Sequence, residues 1–509
     1  MGGIVSTMKD GANALVSGAR LLTSLNTRYQ NLFKRINSEP PLPLPNPTQP
    51  YWLDDAPFPE LNECKDPLPN EADLVIIGSG ITASAAAKTI LELKPKEFKV
   101  LVLEAREICS GATGRNGGHI KSDPYRDFID HRKTLGSDEE ACQVVRFLMK
   151  HLPTFKEFAD TFPQAQIREV ETVDFFMVEK DFELAKKDVA ITQKALPEIE
   201  MRIWDREETR AKYDANELVV GAVSYKAGAM WPFRFVTSLW KQLLDKYDNL
   251  TLMSHTPALA VRNIGAAYEV ETPKGTIKAT HVLHATNGWA GRLLPELRPC
   301  LTGLRGHMSA QKPGDNFPGT NGQRSWSMIY LPGFDYVTQL PDNEDGTHGD
   351  VMMGGGFFRS VEEGIDNIGI WDDTTKDAMT MVHVHGIMPT LFEPKWGIGG
   401  GLRKAWSGIM GYTGDFRPFV DRVPEKGNKN KNGKGHQWIA AGFNGHGMVW
   451  SWLSGTAIGI MIAGKEEDVL EKSMGRPAGK LDDWFPRKAV SFDDKRLKAA
   501  NLKNLAGEM

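Results

Sequence analysis

The stretch that most restricts the fold is residues 72–105, ADLVIIGSGITASAAAKTILELKPKEFKVLVLEA. Its first segment is a continuous apolar run that stops at glycine, the pattern of a parallel strand buried on both faces. ITASAAAKTILEL then has the character of a helix, and FKVLVLEA is a second buried strand. A strand–helix–strand unit of this kind opens a doubly wound α/β sheet. Between strand and helix stand Gly78, Gly80 and Ala83, spaced G-x-G-x-x-A. The first glycine permits a tight turn and the second lets a pyrophosphate reach the backbone. The small third residue lets helix and strand pack closely. The helix N-terminus supplies N–H groups and the positive end of a dipole. Glu104 closes the second strand, where a carboxylate can accept from both ribose hydroxyls.

This fingerprint alone does not separate FAD from NAD. CSGATGRNGGHIK (109–121) follows the second strand at once, where a nicotinamide domain would continue into another crossover. Its glycines, among them Gly117 and Gly118, flank Ser110, Thr113, Arg115 and Asn116, a set of hydroxyl, amide and backbone donors suited to an elongated phosphate and a ring edge. Much later, AGFNGHG (441–447) precedes the apolar run MVWSWLSGTAIGIMIAG. A glycine cluster packs little, so it points to close approach of the backbone to something else.

Taken in order, VIIGSGITASAAA, LEAREICSGATGRNGG and WIAAGFNGHGMVWSWLSG resemble the D-amino-acid oxidase-like FAD-dependent oxidoreductases over roughly residues 70–470. ATGRNGGH is similar to the gamma-glutamylputrescine oxidase branch. The resemblance implies an FAD-binding Rossmann-like domain with an inserted α+β substrate domain. The cofactor contacts it implies are Gly78, Gly80, Ala83, Glu104, Ala105, Arg106, Ser110, Thr113, Arg115, Asn116, Gly117, Gly118, Ala258, Gly442, Asn444, Gly445, His446 and Gly447. Some relatives attach the flavin through a histidine in the early glycine loop or a late cysteine. Here Arg115 takes the first position and no cysteine lies beyond Cys300, which favours non-covalent FAD. The implied reaction moves hydride from a carbon beside an amine nitrogen to the flavin, with dioxygen as acceptor and an amine or amino-acid-like substrate. His119, His307 and His446 are candidates for proton transfer, and Arg305 for holding a carboxylate. Packing or salt-bridge roles compete for each. Two other readings stay open: a tailoring oxidase of secondary metabolism acting on a larger scaffold, and a redox-inactive binding protein stabilised by FAD.

The domain boundaries expected are 70–125, 222–304 and 405–470 for the FAD portion, and 126–221 and 305–404 for the substrate portion, with a tail from 471 to 509. The 509 residues carry 41% apolar and 25% charged side chains and a formal charge of −4, which excludes wholesale disorder and gives no global attraction to nucleic acid. The four cysteines lack metal-type spacing and point to reduced thiols in a cytoplasmic protein. No apolar run reaches the roughly 18–20 residues of a membrane span.

Residues 1–69 precede this body. Leu15, Ala19, Leu22, Leu25, Tyr29, Leu32 and Ile36 recur at helical spacing over 12–36, and EPPLPLPNPTQP reads as a stiff connector that lets the helix stand apart. Three readings compete for this region. The helix docks on the enzyme's own surface, it is a mitochondrial presequence, or it makes peripheral membrane contact aided by myristoylation of Gly2 in MGGIVS.

Overall fold

A computed structural model describes residues 26–64, 67–424 and 435–507. The MGGIVS motif and the first half of the expected N-terminal helix lie outside the described residues, as does most of the turn KNKNGKG.

The first sheet has the strand order Phe419–Arg422, Gln437–Ala441, Gly275–His284, Glu71–Ile77, Val100–Leu103, Leu250–Met253. Every pair is parallel except the first. Tyr268–Thr272 and Ala260–Asn263 extend it as an antiparallel ribbon on Gly275–His284. Alternation along the central strand explains its unbroken apolar run. Leu74 and Ile76 pack into a core with the helix residues Ala83, Ala86 and Ile90, whereas Val75 and Ile77 pack with Tyr268, Val270 and Ile277 of the ribbon. Both faces are covered, so neither tolerates a polar residue.

Helix Ile81–Leu93 leaves this sheet and lies against helix Ser451–Ala463. A side chain on Gly455 would overlap the Thr82 carbonyl, and one on Gly459 would come within 2.8 Å of Thr89 Cβ. The glycines of SGTAIG therefore serve helix–helix contact, and only those of the preceding turn remain for a ligand. Gly455→Leu is expected to force the helices apart, destabilising the protein by about 1–3 kcal/mol or more. Because Thr82 sits two residues from Gly80, the variant should also hold the FAD expected from the sequence resemblance more weakly. Thermal melting and flavin retained through purification check both.

The second sheet has the order Gly401–Thr413, Leu301–Lys312, Val351–Gly354, Gly333–Gln339, Arg324–Tyr330, Arg168–Phe176, Gly221–Ala229, His119–Ile120, with Met201–Trp204 also on Gly221–Ala229. One face packs Val173, Trp326, Val337 and Met353 against Val384, Met388 and Phe392 of helix Ala378–Phe392. Three boundaries expected from the sequence fall inside strands. Gly221–Ala229 pairs along its whole length with Arg168–Phe176. Leu301–Lys312 likewise pairs throughout with Gly401–Thr413. Breaking such a ladder in its middle would leave backbone groups unpaired, so residues 222–229, 301–304 and 405–413 belong to this sheet.

The N-terminal helix follows the reading in which it docks on the protein's own surface, whereas the connector and the tail differ from expectation. Residues 26–37 are helical, and Leu32 and Ile36 pack with Leu502, Ile365 and Ile368. Arg35 donates to the Ile365 and Ile368 carbonyls at 2.7 and 3.0 Å. The proline-rich connector does not let this helix stand apart: Thr48 N donates to Asp373 O at 2.8 Å, and Trp52 is buried. The tail after 471, without periodicity in sequence, buries Trp484, Phe485 and Arg496. Among the described residues no helix is long and apolar enough to cross a membrane.

Candidate active site

The turn after the first strand is set by Gly78, whose φ of +108° suits glycine and whose missing side chain leaves room for the Ala285 carbonyl, 2.6 Å from where a Cβ would lie. Gly78 N donates to Leu103 O at 2.8 Å and ties the turn to the neighbouring strand. Gly80 is the N-cap of helix Ile81–Leu93, with no side-chain cap. Thr113 Oγ1 accepts from Ile81 N at 3.1 Å and would lie 2.9 Å from a Cβ on Gly80, so the early glycine loop closes directly over the helix N-terminus. Ala83 is fully buried in the helix–strand contact. Glu104 accepts from Ser79 N and Oγ at 3.1 and 2.6 Å and from Arg106 N at 3.1 Å, which orients its carboxylate at the strand end beside Ala105. Thr256 N donates to Glu104 O at 2.7 Å, bringing the loop that carries buried Ala258 to the same edge.

Within the early loop, Asn116 donates to the Ala112 and Thr113 carbonyls and accepts from Gly118 N at 2.7 Å, fixing the backbone from inside. A side chain on Gly117 would overlap the Tyr336 ring, and one on Gly118 the Met230 carbonyl. Arg115 is buried and fully engaged. It donates to the carbonyls of Ser110, Thr48 and Ser407, each at 2.8 Å, and lies 3.7 Å from Asp373. Burial lowers its pKa to about 10, so it stays cationic at neutral pH. Arg106 donates to the same Asp373 at 2.9 Å.

The late turn is shaped by Gly442, Asn444 and Gly445, all with positive φ. Asn287 Oδ1, from ATNGWAG, accepts from Gly442 N and Phe443 N at 3.1 and 3.2 Å. Asn444 Oδ1 accepts from Thr413 N at 2.8 Å, and its amide donates to Gly442 O. Tyr412 OH would lie 2.7 Å from a Cβ on Gly445. Gly447 opens the short turn Gly447–Val449 that leads into helix Ser451–Ala463.

The face of the second sheet away from helix Ala378–Phe392 meets these turns. Register places Tyr412, Met410, Met308, Gly354, Tyr336, Ser327 and Asp174 on that one side. His119 lies against it, its Nε2 2.9 Å from Ser325 Oγ and its ring stacked on Tyr336 at 6.2 Å. Burial pushes His119 down to about 3 and Tyr336 up to about 12, so both are neutral near pH 7. Beside them Lys121 bonds Asp123 and lies 3.0 Å from both Asp174 and Ser327. Tyr125 and Tyr225 donate to Asp174 at 2.9 and 2.8 Å. Burial alone would raise Asp123, but the cations Lys121 and Arg126 outweigh it and hold the carboxyl below its ordinary range. His446 lies within electrostatic reach of Asp123, Asp127 and Asp130.

Two expected catalytic residues do not join this group. The alternation of Leu301–Lys312 turns Arg305 and His307 to the side opposite Gly306 and Met308. Arg305 donates to Asn367 Oδ1 and Thr375 Oγ1, both at 3.0 Å. His307 Nε2 accepts from Asp377 N at 2.9 Å next to the start of helix Ala378–Phe392, and burial lowers it to about 4. Both serve structural bonds. Sequence reasoning passed over Lys121, Asp123, Asp174 and Tyr225. A signal was present: the charges of HIKSD directly follow the early loop, and Asp174 interrupts the apolar VDFFMV.

The donor set fits a bound dinucleotide. Ser110 Oγ and Thr286 Oγ1 are buried without a hydrogen-bond partner, one in the early loop and the other next to the Ala285 carbonyl that Gly78 approaches. Buried hydroxyls are normally paired, so these two call for a polar ligand. Residues 73–459 match the FAD dependent oxidoreductase (DAO) family. The chain belongs to that family. It is accordingly an FAD-dependent oxidoreductase. Gamma-glutamylputrescine oxidoreductase of Escherichia coli (strain K12) is 22% identical over 439 residues, 81% of this chain and 87% of the relative. Glycine oxidase from Bacillus cereus ATCC 14579 superposes with a TM-score of 0.59 at 15% identity, covering 78% of this chain and 96% of that one. L-proline dehydrogenase from P. horikoshii gives 0.58 at 20% identity, covering 78% and 93%.

Proposed function

We propose that the protein oxidises an amine or amino acid at the carbon beside nitrogen, with dioxygen as electron acceptor and FAD held non-covalently. FAD supplies the two-electron acceptor for hydride. The observation that carries the reading is the meeting of three parts at one place. Tyr336 lies against Gly117 of the early loop, Tyr412 lies against Gly445 of the late turn, and both belong to one polar sheet face. On that face Tyr336 and neutral His119 offer uncharged contacts, which suit an amine bound in its neutral, reactive form. The Lys121–Asp123–Asp174 cluster beside them orients Tyr225 and Ser327. The three relatives named above act, by their names, on gamma-glutamylputrescine, glycine and L-proline, all of which carry an amine. Non-covalent binding is supported by Arg115, whose guanidinium is engaged by backbone carbonyls and offers no attachment atom.

Anaerobic photometric titration tests the reading with small primary and secondary amines, amino acids and larger cyclic amines. At least one class should bleach the flavin without NADPH. Readmitted air should then restore the spectrum and release hydrogen peroxide. Bleaching by NADPH and by no amine would overturn the substrate class, and reoxidation by a quinone but not by air would overturn the acceptor. Acid precipitation should leave the flavin in the supernatant; colour kept in the pellet would overturn non-covalent binding.

A further inference from the structure

The family match begins at residue 73, yet residues 44–62 supply much of what holds the early glycine loop. We infer that this N-terminal strap is a working part of the cofactor site, with Trp52 and Asn62 as positioning residues that hold the loop in its FAD-binding shape.

The strap meets the loop at both ends. At the near end, Ile108 N donates to Asn62 Oδ1 at 2.8 Å, and Asn62 O accepts from Ser254 Oγ at 2.9 Å. Asn62 thus spans from the end of the second strand's loop to the segment before Ala258. At the far end, Trp52 Nε1 donates to the Asn116 carbonyl. Trp231 Nε1 donates to Trp52 O at 2.9 Å, and the two indoles pack edge to face at 5.1 Å. Between the ends, a Cβ on Gly114 would meet the loop's own Cys109 carbonyl at 2.5 Å and Leu53 Cδ1 of the strap at 2.8 Å, so the strap packs closely on the loop there. Arg115 donates to Thr48 O, and Arg106 to Leu44 O at 3.3 Å.

The loop pairs part of its backbone itself, the Asn116 amide bonding the Ala112 and Thr113 carbonyls and Gly118 N. It is short in regular structure, with only the single turn Ala112–Gly114 before His119–Ile120. At its two edges the strap supplies the partners, pairing Ile108 N and Asn116 O. Asn116 immediately precedes Gly117, where the loop meets Tyr336, and Thr113 caps the helix that would receive the pyrophosphate. A loop released at Ile108 or Asn116 would sample other shapes, and FAD would have to restore the bound one at the expense of affinity.

The test uses the full-length holoenzyme and three variants. Asn62→Leu keeps bulk and loses the acceptor, Asn62→Asp keeps the acceptor, and Trp52→Phe keeps an aromatic ring and loses the donor. FAD release after dilution is followed by the rise of flavin fluorescence, and the melting of FAD-stripped protein is measured beside it. Release is expected to be about tenfold faster in Asn62→Leu and Trp52→Phe, as for loss of one partner of a buried hydrogen bond. Asn62→Asp should release FAD at close to the parent rate. If Trp52→Phe fails to fold, the Asn62 pair decides alone. Parent-like release in Asn62→Leu, or an equal acceleration in Asn62→Asp and Asn62→Leu, overturns the inference. So does a lowered melting point of stripped protein with unchanged release, which would make the strap a stability element only.

Discussion

Gly78→Ala is expected to leave the purified protein colourless, with FAD affinity reduced more than a hundredfold. Two effects combine. At φ +108° a side chain is strained, at a cost on the order of 1–3 kcal/mol. The new Cβ would also stand 2.6 Å from the Ala285 carbonyl oxygen and 3.1 Å from its carbon. That carbonyl has little freedom to retreat. Ala285 N donates to Ile77 O at 2.9 Å, and Ile77 is in parallel register with His284. Relief must come from the turn itself, breaking the bond from Gly78 N to Leu103 O and moving Ser79 away from Glu104. The same turn sets the helix N-terminus, so the expected phosphate and ribose contacts would be lost together. Gly80→Ala is the control. Its nearest neighbour is the hydroxyl of Thr113, a side chain that can rotate, so a milder loss is expected. Flavin absorbance per protein after purification checks both, and a yellow Gly78→Ala protein would refute the argument.

Lys121→Met should destabilise the protein by about 3–5 kcal/mol, the usual consequence of removing one partner from a buried ionic group. Lys121 stands between Asp123 and Asp174, and the latter is completely buried. Without the ammonium, two carboxylates face each other with tyrosine hydroxyls and the more distant Arg126 as the main compensation. The pH dependence has a definite sign. In the parent, the depressed pKa of Asp123 contributes stability that is present above the ordinary carboxylate range and lost as pH falls through the native value. In the variant the same carboxyl is raised, so protonation favours its folded state. The gap between parent and variant should therefore narrow as pH falls from 8 towards 5. Lys121→Met combined with Asp174→Asn should recover part of the loss at pH 8. Thermal melting across that range checks all three statements, and a gap that widens in acid would contradict the charge assignment.

The cofactor half of the molecule was legible because its determinants are local. Gly78, Gly80 and Ala83 lie within one turn of chain, and Glu104 ends the next strand. Late in the chain, AGFNGHG was legible as a site of close approach. Its neighbours Gly455 and Gly459 carry the same letter for another reason, contact with Thr82 and Thr89 of a distant helix. The catalytic candidates fared differently. His119 and His307 looked equivalent, each beside a recognisable motif. Strand alternation and pairing then set His119 against Tyr336 and sent His307 to the start of helix Ala378–Phe392.

What the sequence determined by itself was the parallel α/β core, the glycine turn after its first strand and the family, because strand burial on both faces and glycine spacing are written in consecutive residues. Tertiary structure alone decided the rest. Lys121 acquires its meaning from Asp174, which a long antiparallel ladder carries to it. Thr48 comes from the stiff proline-rich connector, and Trp52 and Asn62 from the stretch after it. They become supports of the flavin loop only where the fold lays that stretch across residues 106–116. The physical reason is that buried carbonyls and N–H groups need partners, and which partners reach them depends on the path of the whole chain.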